Sequence, residues 1–189
     1  VQTEDIHQQL AAEYLSVMEN RELSRKRVCV IFSGVPGSGK TTLARKLAHD
    51  LQAQYIRHDD IRELARKHGY NVIKLTISSI SRIVMDTIMD EDANKFVIVD
   101  ASLDRTWPLF FEHTTEHGAL PIIIRLDVPR AIAKKRVSER GADDFGSVGD
   151  LDRFYTEFEN SKKHVPATMT LGADYDYGDV LRQIKKLTK

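Results

Sequence analysis

The chain has 189 residues, enough for one domain with a full hydrophobic core. Lysine plus arginine number 28 and aspartate plus glutamate 28, so the formal charge is zero and a grip on long nucleic acid by its phosphates is disfavoured. A single cysteine, Cys29, excludes an intrachain disulfide and suits a reducing compartment. No apolar run approaches the roughly 20 residues that span a bilayer, and the first residues lack the basic start and apolar core of a signal peptide. These features predict a cytoplasmic protein without a membrane partner.

In chain order, Ile6, Leu10, Tyr14 and Val17 form one apolar stripe at helical spacing and predict a helix from Thr3 to about Leu23, packed on the outside of the core. Residues 1–27 are thus expected as an appended helix, and 28–189 as the main domain. Val28 to Phe32 is a short apolar run rich in β-branched residues, the mark of a strand buried on both faces. Similar runs recur at Gln54–Ile56, Phe96–Val99 and Ile122–Leu126, with a weaker one at Thr168–Leu171. Helical patterns lie between and after them: Leu43–Leu51, Asp60–Lys67, Asn71–Asp90, Thr106–His117, Pro129–Arg140, Leu151–Lys163 and Gly178–Leu187. Strands alternating with helices predict an α/β fold, a doubly wound parallel sheet of five strands with helices on both faces. In such sheets ligands sit beyond the carboxyl ends of the strands. The residues that follow each strand should therefore converge.

After the first strand comes Gly34-Val35-Pro36-Gly37-Ser38-Gly39-Lys40-Thr41, followed by Thr42. Glycines let the backbone wrap a phosphate, the amides form an anion nest, and the next helix adds its positive end. Lys40 would reach the β- and γ-phosphates, and the Thr41 hydroxyl is a hard ligand for Mg²⁺. This is a phosphate loop of the P-loop NTPase type, and the expected ligand is ATP with Mg²⁺. After the second strand comes His58-Asp59-Asp60-Ile61-Arg62. Its carboxylates read either as N-caps or as a catalytic pair, in which Asp59 deprotonates an acceptor hydroxyl and Asp60 caps the helix or touches the Mg²⁺ shell. Arg62, one turn on, could hold an anionic acceptor. Asp100 closes the third strand and reads as a holder of Mg²⁺ and its waters, with Ser102 and Asp104 beyond it as acceptor contacts or caps.

After the fourth strand, Arg136 and Arg140 share a helix face. They read equally as a solvated basic face or as a pair aimed at a transferring phosphoryl group. Gly141–Gly149 has the glycine content of a hinge, which predicts an arginine-bearing lid at about 129–150. His113 and His117 lie four apart on a predicted helix, but no third ligand is apparent, so they read as surface or core histidines.

Together these pieces resemble the P-loop kinases of the polynucleotide 5′-hydroxyl kinase and zeta-toxin type, an AAA-type ATP-binding kinase group. The matching segments are Gly34–Thr42, His58–Arg62, Val99–Ser102 and Asp127–Pro129 continuing through Lys135–Gly141, in the family's order. The resemblance implies Asp59 as general base, Arg62 as a contact to the acceptor's phosphate, and Arg136 and Arg140 as lid arginines; it places the family's third-strand aspartate at Asp100. His58 and Ser102 depart from the family's usual residues, both on the acceptor side. The expected activity is a phosphotransferase with an alcohol acceptor. That acceptor is either a short nucleic-acid end or a small molecule. The competing reading is an NTP-hydrolysing switch or binding module with no acceptor.

Overall fold

The computed structural model describes residues 3–18, 26–72, 76–90, 95–140 and 150–189. Five strands are described: β1 (Val28–Ser33), β2 (Gln54–Arg57), β3 (Phe96–Ser102), β4 (Leu120–Leu126) and β5 (Met169–Leu171). They form one sheet in the order β2-β3-β1-β4-β5, with every neighbouring pair parallel. The α/β expectation is met. The helices are α1 (Thr3–Ser16), α2 (Lys40–Asp50), α3 (His58–Lys67), α4 (Ile77–Asp90), α5 (Trp107–Glu116), α6 (Arg130–Arg140), α7 (Leu151–His164) and α8 (Tyr177–Leu187).

Alternation along β1 divides the core. Cys29 and Ile31 face a layer built from α1, α3, α4 and α5, with Leu10, Ile61, Ile80, Val84 and Phe110. Val28, Val30 and Phe32 face the opposite layer, where α2 contributes Leu43 and Leu47 and α8 contributes Val180 and Ile184. All six residues of β1 are buried, as a central parallel strand requires. Each such aliphatic side chain contributes roughly 1.5–3 kcal/mol by leaving water. Cys29 lies within this packing, and burial pushes its thiol well above the usual range.

Several element bounds differ from expectation. The first helix is described only to Ser16, Val17 is 76% exposed in the following turn, and residues 19–23 of the expected helix lie outside the described residues. In the expected helix 71–90, Asn71 and Val72 are not helical, 73–75 lie outside the described residues, and α4 begins at Ile77. A 3₁₀ turn, Leu103–Arg105, precedes α5, which has Pro108 in its first turn. There the missing N–H of proline costs no hydrogen bond. No helix among the described residues is long and apolar enough to cross a membrane.

Candidate phosphoryl-transfer site

The phosphate loop lies at the carboxyl end of β1, the central strand, with β3 on one side and β4 on the other. Gly34, Gly37 and Gly39 all have positive φ, at 148°, 80° and 104°. A Cβ on Gly37 would stand 2.5 Å from the Ala133 carbonyl oxygen of α6, and one on Gly34 would stand 2.9 Å from the Leu126 carbonyl oxygen. The loop is a cradle that side chains would fill. The Ser38 hydroxyl is buried there without a hydrogen-bond partner among the described residues. Val35 is buried with Val128, Ala133 and Phe158, Pro36 is half-buried, and Thr42 is exposed. Lys40 donates from Nζ to the carbonyl oxygens of Gly34, at 2.8 Å, and Val35, at 2.9 Å. The ammonium is thereby tethered at the loop.

Thr41 Oγ1 donates to Asp100 Oδ1 at 3.2 Å. Asp100 is buried, and its Oδ2 accepts from the Tyr55 hydroxyl at 2.7 Å and lies 3.6 Å from Arg57 Nε. A hydroxyl and a carboxylate side by side are a hard-oxygen donor set that fits Mg²⁺. Burial, reinforced by the Asp100 charge, drives the Tyr55 phenol far above its ordinary value, so it remains a donor.

Arg57, at the end of β2, joins this half to the next. It donates to Asp60 Oδ1 at 2.7 Å and to Asp59 Oδ2 at 3.2 Å. Arg62 donates to Asp59 Oδ1 at 2.5 Å. Asp59 therefore sits between two guanidinium groups, with its side chain 52% exposed. The N-cap reading of the acidic pair is corrected: Arg57 occupies the cap position, and both carboxylates lie inside the first turn of α3. They still complement the helix dipole there. His58 opens the helix. Burial, with the nearby Arg62 charge, lowers its pKa to about 4.

Arg136 reaches the loop from α6, its Nη1 lying 3.3 Å from the Gly37 carbonyl oxygen and 3.4 Å from that of Ser38. The Arg140 side chain and the hinge at 141–149 lie outside the described residues. Ser102 is exposed, with its Oγ 2.7 Å from Asp104 Oδ2 and 3.4 Å from the Gly34 carbonyl oxygen. The geometry thus gathers the loop, Asp100, Asp59, Arg62 and Arg136 at one sheet edge. Sequence reasoning missed Arg57 and Tyr55; their signal was only their place beside a strand's carboxyl end. It also left Asp104 undecided. That carboxylate accepts from Ser33, Ser102 and Ser161 hydroxyls, each at 2.7 Å, and from the Gly34 amide at 3.0 Å. A cleft of about 510 Å³ is lined by Asp60 and Tyr55 of this site together with, among others, Tyr14, Leu64 and Lys67.

A central parallel strand ending in such a loop, beside a buried carboxylate and a threonine hydroxyl, defines a P-loop nucleotide-binding protein. The AAA domain family model matches residues 29–157, and the chain belongs to this family. The chain is 33% identical over 117 residues to a cytidylate kinase of Saccharolobus islandicus, a match covering 59% of the chain and 58% of that relative. It is 26% identical over 172 residues to an adenylate kinase of Petrotoga mobilis, covering 85% and 80%. In fold it is similar to a shikimate kinase from Acinetobacter baumannii solved with shikimate, at a TM-score of 0.56 and 17% identity, covering 85% of this chain and 92% of that one.

Proposed function

We propose that the chain transfers the γ-phosphoryl group of ATP to an acceptor hydroxyl held over the start of α3. The observation that carries this reading is the chain of contacts through Asp100. One oxygen meets Thr41 of the phosphate loop, and the other faces Tyr55 and Arg57, which in turn holds Asp59 and Asp60. Donor and acceptor halves share one carboxylate. Lys40 gives up its loop carbonyls for the β- and γ-phosphates. Thr41 and Asp100 would hold Mg²⁺, which when bound neutralises charge on the phosphates. Asp59 takes the acceptor's proton as its oxygen attacks the γ-phosphorus and the bond to the β-phosphate oxygen breaks, releasing ADP. Arg136 and Arg140, on a lid spanning about 129–150 of a domain at 28–189, stabilise the charge spread over the transferring group. Ser102 lies close enough to the loop to border the acceptor.

Two acceptor types are separable. A carboxylate base is needed for a hydroxyl, in keeping with the polynucleotide 5′-hydroxyl kinase resemblance or with a small alcohol. A nucleoside monophosphate offers an oxygen already ionised and needs none; the arginines at positions 57 and 62 and the kinship to cytidylate and adenylate kinases favour it as the second reading. A transfer screen with γ-labelled ATP against 5′-hydroxyl oligonucleotides, nucleosides, sugars, CMP and AMP decides the class. Asp59→Asn should cut hydroxyl phosphorylation by about 10²–10⁴-fold while leaving ATP affinity near normal. Undiminished labelling of a hydroxyl acceptor by that variant would sink the role of Asp59. Survival with CMP or AMP selects the second reading. Slow ATP hydrolysis with no labelled acceptor selects the nucleotide switch.

A further inference from the structure

Away from the phosphate loop, the ends of α4 and α5 bring together groups that the proposed transfer does not use. Asp86 lies just before the last turn of α4, His113 in the last turn of α5, and His117 at the residue that caps α5. One donor atom from each lies within 4.8 Å of the other two. Asp86 Oδ1 stands 2.8 Å from His117 Nε2 and 3.2 Å from His113 Nδ1. The sequence spacing of the two histidines lacked a third ligand, and the fold supplies one.

Three observations point to a cation. First, His113 is only 3% exposed, and among the described residues neither ring nitrogen makes a well-formed hydrogen bond: Nε2 has no partner and Nδ1 has only the ionic approach to Asp86 at 3.2 Å. A buried polar atom left this way costs free energy that a bound ion would recover. Second, Asp86 and Asp90 sit at the carboxyl end of α4, which has no basic residue in its last turn. Carboxylates there oppose the helix dipole, and a cation between them and the carboxyl end of α5 reverses the sign of that interaction. Third, His117 Nδ1 lies 3.5 Å from Asp90 Oδ1 while its Nε2 faces Asp86. A carboxylate thus stands near the ring nitrogen that would not ligate, where a small closure would let it orient the imidazole. The nearby competitor is Arg82, whose Nε is 3.8 Å from Asp86 Oδ2 and whose Nη2 bonds Glu116 at 3.4 Å, leaving Asp86 Oδ1 to the histidines.

We propose that Asp86, His113 and His117 form a binding site for a divalent transition metal of the zinc type, which staples α4 to α5. Two imidazoles and one carboxylate, with a fourth position open to water, suit zinc or cobalt and not magnesium. Ligands of one such ion stand about 3–4 Å apart, so the Asp86–His117 pair, at 2.8 Å, would open slightly and only the two imidazole nitrogens would close by about 1 Å, within the reach of side-chain torsions. The site stands at the opposite sheet edge from the phosphate loop. The His117 carbonyl accepts from Arg27 Nη1 at 3.2 Å, and Arg27 leads into the amino end of β1. Its role is therefore structural and independent of the transfer reaction.

The test is a Co²⁺ titration of the untagged, metal-free full chain, followed by displacement with Zn²⁺, in excess Mg²⁺ to block the phosphate loop. The expected result is one ion per chain, visible absorption of a low-coordinate cobalt site, and a thermal midpoint raised by Zn²⁺. His113→Ala and His117→Gln should each weaken binding by more than about 100-fold, and Asp90→Asn by about 10–100-fold, with binding of an ATP analogue unchanged. His117 is near the surface, so His117→Gln serves where His113→Ala fails to fold. Absence of a saturable one-to-one phase overturns the proposal, as does unchanged affinity in His117→Gln.

Discussion

At the residue scale, Asp104 shows how one carboxylate can set a loop. Its Oδ1 accepts from Ser33 and Ser161, and its Oδ2 from Ser102 and the Gly34 amide. The end of β1, the first glycine of the phosphate loop, the end of β3 and α7 thus meet at one side chain. The hydroxyls can rotate to other partners; the Gly34 amide is fixed by the backbone. Asp104→Ala leaves four donors without their acceptor, so unfolding free energy should fall by about 2–4 kcal/mol and ATP binding should weaken. Asp104→Asn should recover part of both, because the serines can turn to accept from an amide. Urea denaturation and titration with a fluorescent ATP analogue measure these effects. Wild-type stability in Asp104→Ala would show that the four contacts carry no net weight.

At the scale of elements, the contact that matters is α6 against the phosphate loop. Val35 packs with Val128, Ala133 and Phe158, which holds α6 close and aims Arg136 at the loop carbonyls. Closeness requires Gly37: its φ is 80°, and a Cβ would meet the Ala133 carbonyl oxygen at 2.5 Å and Val137 Cγ2 at 3.1 Å. Backbone cannot yield as a flexible side chain can. Gly39 offers the contrast, because at φ 104° its Cβ would meet nothing nearer than 3.8 Å. Both alanine variants carry a left-handed backbone cost of about 1 kcal/mol. Only Gly37→Ala should also push α6 off the loop. Amide exchange in α6 should accelerate in Gly37→Ala and stay near wild type in Gly39→Ala, with ATP affinity falling at least about tenfold in the former. Equal exchange in the two variants would refute the role of the close approach.

At the scale of the whole molecule, what was legible in the sequence was local, and what was not was assembled. The central strands could be read because Val28–Phe32, Phe96–Val99 and Ile122–Ile124 are continuous apolar runs, β2 and β5 more weakly because polar residues interrupt them, and the glycine-rich loop could be read because its spacing lies within one segment. Arg57 could not, because the Asp59, Asp60 and Asp100 carboxylates reach it from two elements. Nor could the meeting of Asp86 with His113 and His117, whose helices are separated in the chain by β3. His58 is a further case, an ordinary histidine in the sequence that the fold changes chemically. Burial first, then the Arg62 charge, lowers its pKa from 6.5 to about 4, against the opposing pull of Asp59. The folded chain therefore keeps His58 neutral between those values while the unfolded chain takes up a proton. Stability from this group is fully present above pH 6.5 and is lost as pH falls toward 4, at no more than about 1.4 kcal/mol per pH unit. His113 is also held below its ordinary value by burial and slopes the same way, but it is common to both proteins when wild type is compared with His58→Gln. The difference in unfolding free energy between them should be constant above neutral pH and should change steadily, at wild type's expense, between pH 6.5 and 4. Urea denaturation at closely spaced pH values reads this directly. Parallel curves for the two proteins through that window would mean that His58 titrates normally in the folded chain, and that α3 does not shield it as the geometry requires.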